Sequence, residues 1–278
     1  MLLYGLLGEK LTHSLSPEIH DVIFKNLNIK ARYSLFQVEK ENVCKVIDSL
    51  KVLGISGINV TIPYKEEIIK YLDEISEEAK NIGAVNTVVI KDNKSYGYNT
   101  DYFGFGSMLK REDVTVEGKT VVVLGAGGAA KAIIQYFKDN KAKEIYLVSR
   151  NKEKICAKYS GVTALDYEEL KEISGDIIVN TTPLGMYPNI EGMPVSEEII
   201  IKYKVAVDAI YNPLKTRFLL TAESQGLKAI NGLYMLIDQA IKAEEIWHDQ
   251  AIDGKIGEEI YEDLCKLFWV RREVCARI

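Results

Sequence analysis

The sequence predicts an α/β fold built from two domains. Strand-like and helix-like segments alternate along the 278 residues, and this alternation is typical of parallel strands joined by crossover helices. At roughly 150 residues per domain, the length suggests two such units. The alternation begins afresh near Gly118. We therefore place an N-terminal α/β domain at 1–104 and a Rossmann-like, doubly wound domain from 105 onward.

The first predicted elements follow from apolar patterning and helix-start signals. Residues 2–8 form an apolar strand, and Ser16 is the expected N-cap of a helix that has Pro17 at its first position. Residues 31–39 alternate between apolar and polar side chains, which predicts a half-buried strand. A helix at 41–53 follows and ends before a glycine.

A strand, a helix and a hairpin complete the first predicted domain. The strand is expected at 56–63 and the helix at 64–79. Two further strands, at 83–90 and 96–101, flank the turn-forming residues 91–94, which is the pattern of a β-hairpin.

The second predicted domain begins with a strand buried on both faces. KTVVVLG at 119–125 is a nearly continuous apolar run, and a helix follows to about Lys138. Further strands are predicted at 144–149, 176–180, 205–210 and 227–230. From Gly232 onward the pattern is helical, with one apolar face.

Composition and charge argue against several classes of protein. Hydrophobic residues make up 47% and charged residues 27% of the chain, the balance of a folded globular protein. The net charge of −5 and the lack of a basic-aromatic stripe make nucleic-acid binding unexpected. The apolar runs fall short of the ~20 residues of a membrane helix, and MLLYGLLGEK at the N-terminus has the pattern of a strand rather than a signal peptide.

The cysteines and histidines predict neither disulfides nor a metal site. Cys44, Cys156, Cys265 and Cys275 form no CxxC pair and have no neighbouring histidines. This usage is typical of reduced thiols in a cytoplasmic protein. With 3 histidines in the sequence, an all-protein zinc site is not expected.

A glycine-rich loop follows the buried strand and opens a helix. GAGGAA at 125–130 fits the pattern G-x-G-x-x-G/A, in which the glycines let the backbone approach a pyrophosphate and the helix N-terminus supplies N–H donors. The strand–turn–helix context favours a dinucleotide site over a merely structural turn.

The end of the next strand indicates which dinucleotide is bound. An acidic residue at its tip would hydrogen-bond a ribose hydroxyl and favour NAD. Here the strand ends in Ser149-Arg150-Asn151, with Lys152 and Lys154 beyond. Because an arginine offers a planar fork for a 2′-phosphate, we predict NADP. Ordinary solvated loop charges are the alternative.

Polar side chains gather where the predicted hairpin meets the end of an earlier strand. They are Asn59, Thr61, Asn86, Thr87, Asn99, Thr100 and Asp101. In a hairpin the start of one strand lies beside the end of its partner, and ligands of open α/β sheets bind at the carboxyl ends of strands. We therefore expect these side chains to line a substrate site.

Two serines precede the first helix and are candidates to hold a substrate carboxylate. The hydroxyls of Ser14 and Ser16 and the helix N–H groups could bind an anion without a full positive charge. For Ser16 a simple capping role is the alternative. Many neutral hydroxyls and amides with few fixed charges suit a small polyhydroxylated acid.

Lys65 is the strongest candidate for a catalytic residue. It follows Ile62-Pro63-Tyr64 in what should be the first turn of a helix, where a cation opposes the helix dipole. Asp101 is its natural partner, and such a pair can exchange protons near neutral pH. The alternative is a solvated surface lysine, and spacing alone does not decide between them.

Eight motifs together resemble the shikimate dehydrogenases. They run through nearly the whole chain in family order: HSLSPEIHD (13–21), NVTIPYK (59–65), GAVNT (83–87), YNTD (98–101), GAGGAAKA (125–132), NTTPLGM (180–186), DAIYNPLKTRFL (208–219) and NGLYMLIDQA (231–240). The resemblance implies NADPH-dependent reduction of 3-dehydroshikimate to shikimate, within chorismate and aromatic amino-acid biosynthesis. It also implies that helices at 238–278 return to the N-terminal substrate domain, leaving 105–237 as the NADP domain.

The resemblance also assigns roles to residues. Lys65 and Asp101 resemble the family's catalytic pair. The expected substrate contacts are Ser14, Ser16, Thr61, Asn86, Tyr211 and Gln239. The expected cofactor contacts are Gly125, Ala126, Gly127, Gly128, Ala129, Ser149, Arg150, Asn151, Lys154, Thr181 and Gly232. The family's usual Asn-Arg-Thr after the second cofactor-domain strand reads Ser-Arg-Asn here, so the arginine is kept and its neighbours differ.

Three alternatives stay open at this point. A quinate/shikimate dehydrogenase that prefers NAD is the nearest. A short-chain dehydrogenase is the second, and it would use the motif Y-x-x-x-K, which occurs at 167–171 and 211–215. The glycine loop lies mid-chain and a proline interrupts the second match, so we interpret both matches as chance occurrences. A non-catalytic NADP-binding sensor is the third. The apolar edge of the first sheet could support a homodimer.

Overall fold

The protein is described by a computed structural model that divides into two compact units. Unit 1 comprises Met1–Gly104 with Ile237–Ile278, and unit 2 comprises Phe105–Leu236. The backbone is described at 1–11 and 14–275, and side chains are described there except at 154, 156, 157 and 267–275. Across these described residues, no helix has both the length and the apolar character needed to cross a bilayer.

A six-stranded mixed sheet forms the centre of unit 1. Its strands are β1 (Leu2–Gly8), β2 (Ala31–Gln37), β3 (Gly57–Val60), β4 (Glu74–Ile75), β5 (Thr87–Lys91) and β6 (Lys94–Tyr98). The spatial order is β2-β1-β3-β5-β6-β4. β1 runs parallel to both β2 and β3, and β5 is antiparallel to both β3 and β6.

Helices of unit 1 connect and cover these strands. They are α1 (Ser16–Asn26), α2 (Val46–Val52) after a 3₁₀ turn at Lys40–Lys45, α3 (Glu77–Ile82) and α10 (Lys255–Cys275). Two further helices, α4 (Asp101–Arg111) and α9 (Leu233–His248), begin in one unit and end in the other.

The predicted hairpin is present and sets the register at one edge of the sheet. Its two-residue turn has Asp92 and Asn93 at φ of 51° and 59°, the left-handed conformation that suits a tight hairpin. Thr87 therefore lies opposite Tyr98 on one side and Asn59 on the other. The end of β3, the start of β5 and the end of β6 meet there.

The C-terminal half of α9 packs on the sheet of unit 1. Trp247 stacks on Tyr4 with ring centroids 4.5 Å apart, and its indole N–H donates to the carbonyl of Val88 at 3.0 Å. A Cβ on Gly57 would lie 2.4 Å from the Trp247 ring nitrogen. The absence of a side chain at position 57 therefore makes room for the helix.

The helix predicted at 64–79 is wrong. The segment forms a turn, a 3₁₀ helix at Ile68–Tyr71, the short strand β4 and then α3. The Asp73 carboxylate accepts hydrogen bonds from the backbone N–H and hydroxyl of Ser95 at 2.8 and 2.7 Å, and from Lys51 at 2.9 Å. These long-range bonds pull the segment onto β6 and override its local helical pattern.

Unit 2 contains a six-stranded parallel sheet in Rossmann order. Its strands are β7 (Thr120–Leu124), β8 (Glu144–Val148), β9 (Thr163–Leu165), β10 (Ile177–Asn180), β11 (Val205–Asp208) and β12 (Lys228–Ile230). Its helices are α5 (Gly128–Asp139), α6 (Lys152–Lys158), α7 (Glu197–Ile200) and α8 (Arg217–Ser224), with a 3₁₀ turn at Glu169–Glu172. In the order β12-β11-β10-β7-β8-β9, strands β7 to β9 form one mononucleotide-binding half and β10 to β12 form the other. The two halves meet where β7 pairs with β10.

Both faces of this second sheet are buried. Val121 and Val123 of β7 pack into one apolar cluster, and Val122 and Leu124 pack into another. All four side chains are fully buried, which explains why β7 is a continuous apolar run rather than an alternating one. The predicted two-domain α/β fold with a Rossmann-like second unit is confirmed.

Candidate active site

Lys65 and Asp101 form an ion pair at the edge where β3, β5 and β6 meet. The Lys65 ammonium nitrogen lies 2.6 Å from the Asp101 Oδ2 atom, and the two side chains are 14% and 10% exposed. Both groups are thus largely shielded, yet each keeps some access to solvent. Such a pair can hand a proton to a bound oxygen and recover one afterwards.

The backbone, rather than a helix, positions Lys65. The residue lies in the turn after β3, so the expected opposition between its charge and a helix dipole does not arise. Its carbonyl accepts a hydrogen bond from the N–H of Val85 at 2.8 Å. This bond ties the turn to the segment that leads into β5.

Asp101 is held through its backbone and both carboxylate oxygens. It is the first residue of α4, where a carboxylate is favoured by the helix dipole. Its N–H donates to the Asn99 side-chain oxygen at 3.1 Å, and its Oδ1 accepts from the Asn86 amide at 2.9 Å. The other oxygen, Oδ2, accepts from Lys65, so the geometry of the pair is fixed.

Asn86 connects this pair to neighbouring polar groups. Its side-chain oxygen accepts from the backbone N–H of Thr100 at 2.7 Å and from the Thr87 hydroxyl at 3.1 Å. The three side chains are 2% exposed or less. A buried amide whose donor and acceptor are both used has one orientation, which makes the cluster rigid.

The two serines lie together at the start of α1, but Ser16 is not its N-cap. Leu15 occupies that position without a side-chain cap, and Ser16 is the first helical residue. Instead of its hydroxyl capping the helix, Ser16 donates its backbone N–H to the Ser14 hydroxyl at 3.2 Å. The hydroxyls themselves are 3.1 Å apart. His13, the first residue of the motif, lies outside the described residues.

The remaining predicted substrate residues are divided between the two units. Thr61 directly follows β3, and its N–H donates to the Leu7 carbonyl at 2.9 Å. Gln239 lies on α9, where its side-chain oxygen accepts from the Thr100 hydroxyl at 3.4 Å, next to Asp101. Tyr211 belongs to unit 2, half-buried in the loop after β11.

The glycine loop of unit 2 joins β7 to the N-terminus of α5. Gly125 has a φ of +96°, a conformation that disfavours other residues. A Cβ on Gly127 would meet no protein atom within 4 Å, so packing within the protein does not require a glycine at this position. It precedes α5, whose N-terminus has no side-chain cap. The N–H groups there suit an anion.

Thr181 supports the same loop from the next strand. Its hydroxyl lies 2.8 Å from the carbonyl of Leu124 and 3.2 Å from that of Gly125. Because the Thr181 hydroxyl hydrogen-bonds the loop backbone, this residue stabilises the conformation of the loop. Gly128 and Ala129 begin α5 at half-buried positions, whereas Ala126 is exposed.

The tip of β8 carries the side chains that were predicted to select the cofactor. Arg150 and Asn151 are exposed, and the Ser149 hydroxyl accepts from the Asn151 N–H at 3.3 Å. Lys154 lies on α6, but its side chain is outside the described residues.

Gly232 has a structural reason to be glycine. A Cβ there would lie 2.3 Å from the carbonyl oxygen of Ala209, a distance that no side chain tolerates. Its N–H donates to the carbonyl of Ile210 at 3.0 Å. The residue thus fixes the start of α9 against the loop after β11.

A buried carboxylate that the sequence did not single out lies at the end of β11. Asp208 accepts hydrogen bonds from the Thr216 hydroxyl at 2.7 Å, the Ile210 N–H at 3.0 Å and the Asn180 amide at 3.1 Å. Burial raises the pKa of Asp208 to about 6, although these hydrogen bonds oppose the rise. Through these three hydrogen bonds, the Asp208 carboxylate links the end of β10 to the loop after β11.

A second missed residue is Tyr33, which lies on β2 and is 8% exposed. Its hydroxyl donates to the side-chain oxygen of Asn59 at 2.7 Å. An inward-facing tyrosine in an alternating strand was the available signal, but it matches an ordinary core position equally well. No group of three or more metal-binding side chains occurs in the part of the chain that the structure describes.

Comparison with known proteins identifies relatives over the whole length. Residues 6–88 match the family model described as the shikimate dehydrogenase substrate binding domain, and residues 108–184 match that described as shikimate / quinate 5-dehydrogenase. A protein of Clostridium perfringens named shikimate dehydrogenase (NADP(+)) is 55% identical over 267 residues, which is 95% of this chain and 98% of the relative.

Solved structures agree with the sequence comparison. Shikimate dehydrogenase 1 from Peptoclostridium difficile superposes with a TM-score of 0.88 at 51% identity, covering 96% of this chain and 99% of that one. Shikimate 5-dehydrogenase from Thermus thermophilus, solved with NADP(H) and shikimate, gives a TM-score of 0.85 at 32% identity, covering 93% and 98%. Identities of this size over nearly full length confirm the predicted resemblance: the chain belongs to the shikimate dehydrogenase family.

Proposed function

We propose that the protein catalyses the reversible, NADP-dependent interconversion of shikimate and 3-dehydroshikimate, with Lys65 and Asp101 as its proton-transfer pair. The observation that carries the proposal is this shielded ion pair 2.6 Å long, set among hydroxyls and amides. It belongs to a chain whose relatives are named shikimate dehydrogenase (NADP(+)). The reaction is a step in chorismate and aromatic amino-acid biosynthesis.

The polar groups of unit 1 suit a small hydroxylated acid. Ser14 and Ser16, beside the N-terminus of α1, are proposed to bind the carboxylate. Thr61, Asn86 and Gln239 are proposed to bind the ring hydroxyls, with Tyr211 of unit 2 as a further contact. Neutral donors and acceptors distinguish hydroxyl positions through hydrogen bonds, and a hydroxyl-lacking analogue would leave them unpaired.

The proposed proton transfer uses the lysine and the aspartate as one unit. As the ring carbonyl is reduced, its oxygen gains negative charge and takes one proton from the pair. In the reverse direction the pair accepts the hydroxyl proton. Because the two groups are in direct contact, we treat the pair, rather than either residue alone, as the proton donor and acceptor.

The loop of unit 2 is proposed to bind NADP. When bound, this cofactor supplies or accepts the hydride. Gly125, Ala126, Gly127, Gly128 and Ala129 would present backbone N–H groups to the pyrophosphate. At the tip of β8, Ser149, Arg150, Asn151 and Lys154 would face the 2′-phosphate, for which the arginine fork is the best match. Thr181 and Gly232 would shape the loops around the nicotinamide.

Two finer expectations, a homodimer and a location in the cytoplasm, are also proposals. Among the described residues of unit 1, no strand pairs with the outer edge of β2. This edge carries Leu35, which is 41% exposed, and a second copy is proposed to pair there to form a homodimer. Cys44 and Cys265 are free thiols, as expected for a protein of the cytoplasm.

One absorbance assay tests the proposed function. The full chain is mixed with NADP or NAD and with shikimate or quinate, and formation of the reduced nicotinamide is followed. We expect the highest kcat/KM with NADP and shikimate. A higher kcat/KM with NAD would overturn the proposed cofactor, and a higher value with quinate would overturn the proposed substrate. Tight NADP binding without turnover would identify a sensor instead of an enzyme.

A further inference from the structure

A path of side-chain hydrogen bonds crosses unit 1 and begins at Tyr33 on β2. The Tyr33 phenol donates to the Asn59 side-chain oxygen at 2.7 Å. Tyr33 therefore joins β2 to β3, the strand that carries Asn59.

The path continues from Asn59 to the catalytic pair. The Asn59 amide donates to the Thr87 hydroxyl at 3.1 Å, and this hydroxyl donates to the Asn86 oxygen at 3.1 Å. The Asn86 amide then donates to Asp101 at 2.9 Å. Every step uses a donor on one residue and an acceptor on the next, so the path has no break between Tyr33 and Asp101.

The ring of Tyr33 is itself held by a buried polar group. The imidazole of His20 stacks on it with centroids 4.1 Å apart and planes 8° apart. Glu244, on α9, hydrogen-bonds His20 through one carboxylate oxygen and His248 through the other. His20 and Glu244 are fully buried, so the surface on which the tyrosine rests cannot shift freely.

We propose that Tyr33 is a positioning residue for substrate binding, acting through Asn59 and Asn86; this rests on the proposed function. The Tyr33 phenol satisfies the side-chain oxygen of Asn59, which is 5% exposed. Loss of the hydroxyl would leave the amide of Asn59 free to flip, and the hydrogen bonds from Asn59 to Thr87 and from Thr87 to Asn86 would then lose their fixed direction.

A matched pair of variants separates positioning from simple packing. Tyr33→Phe removes one hydroxyl and keeps the ring on His20. Tyr4→Phe is the control, because Tyr4 is 2% exposed, stacks on Trp247 and lies on the neighbouring strand β1, but belongs to no part of the path described above. Both changes remove one buried oxygen from the same aromatic cluster.

Steady-state kinetics of the full chain give the decisive measurement. For Tyr33→Phe we expect the KM for shikimate to rise about 5- to 20-fold, with kcat within about threefold and the KM for NADP unchanged. Asn86→Ala should raise the same KM, and Tyr33→Phe combined with Asn86→Ala should cost much less than the product of the two effects.

Three results would overturn this role for Tyr33: an unchanged shikimate KM in Tyr33→Phe, multiplicative effects in the double variant, or an equal rise in Tyr4→Phe. Folding is checked by far-UV circular dichroism. Should Tyr33→Phe not fold, Asn59→Ala removes the acceptor of the same bond, and an unchanged shikimate KM there counts against the proposal. Wild-type protein that turns over no shikimate would instead refute the proposed function.

Discussion

Asp208 offers a quantitative test of how burial sets the energetics of unit 2. The carboxyl is 0% exposed, and burial raises its pKa from an ordinary value of 3.8 to about 6. One pKa unit corresponds to about 1.4 kcal/mol, so this difference is equivalent to about 3 kcal/mol. The replacement Asp208→Asn keeps the shape of the side chain and removes its titration.

The sign of the pH dependence follows from which state holds the proton. Between pH 4 and 6 the folded protein keeps the Asp208 proton while the unfolded chain releases it. The contribution of this group to the free energy of unfolding is therefore fully present below pH 4 and is lost as the pH rises through 6. The free energy of unfolding of wild type minus that of Asp208→Asn should fall by up to about 3 kcal/mol from pH 4 to pH 7.

Urea unfolding followed by far-UV circular dichroism at a series of pH values measures this difference. The new amide changes local hydrogen bonding by an amount that does not depend on pH, so only the slope is interpreted. Asp176→Asn is the control, because the hydrogen bond from Lys204 at 2.8 Å lowers the pKa of Asp176. Its wild-type-minus-variant difference should stay nearly constant between pH 4 and 7, and should fall only below the ordinary aspartate pKa of 3.8. A difference for Asp208→Asn that stays constant between pH 4 and 7 would refute the reasoning.

Three further predictions concern catalysis, cofactor choice and packing. Lys65→Ala should lower kcat at least ~10²-fold with a modest change in KM, and near-wild-type turnover would remove the lysine from the mechanism. Arg150→Ala should raise the KM for NADP about tenfold while leaving that for NAD unchanged; equal effects on both would exclude 2′-phosphate recognition. Gly57→Ala should destabilise the protein by about 1–3 kcal/mol in urea, because its Cβ would overlap Trp247. Gly254→Ala, whose Cβ meets no atom within 4 Å, should change stability by less than about 0.5 kcal/mol.

Features encoded over short stretches of chain could be predicted from the sequence. The hairpin turn at Asp92 and Asn93, the loop at Gly125 and the continuous apolar run of β7 each depend on a few adjacent residues. Their signals are strong because backbone conformation or burial on both faces restricts the residue types allowed. The Rossmann strand order then follows from the βαβ connections themselves.

The predicted helix at 64–79 failed because its competitor is distant in sequence. Locally the segment favours a helix, but Asp73 makes hydrogen bonds to Ser95, 22 positions away. No local pattern reveals such a partner. The same limit applies to β9 and β4, short strands of three and two residues that exist only because a neighbouring strand is present to pair with them.

The Lys65–Asp101 pair shows how a correct pairing can be predicted from a partly incorrect premise. The hairpin topology placed both residues at one edge of the sheet, and this part of the reasoning survives in the structure. The helix-dipole argument does not, because no helix begins at Lys65. The lysine is instead positioned by its own carbonyl, which accepts from Val85.

The place of Tyr33 beside the candidate site could not be predicted from residue patterns. Its bond to Asn59 spans 26 positions, and a buried tyrosine in a strand is equally consistent with ordinary core packing. What distinguishes it is the series of hydrogen bonds that begins at its hydroxyl and ends at Asp101. If Tyr33→Phe raises the KM for shikimate while Tyr4→Phe does not, substrate binding depends on a residue whose role is defined by connectivity rather than by sequence motif. Tyr33, Asn59, Asn86 and the catalytic pair would then act as one preorganised hydrogen-bonded unit.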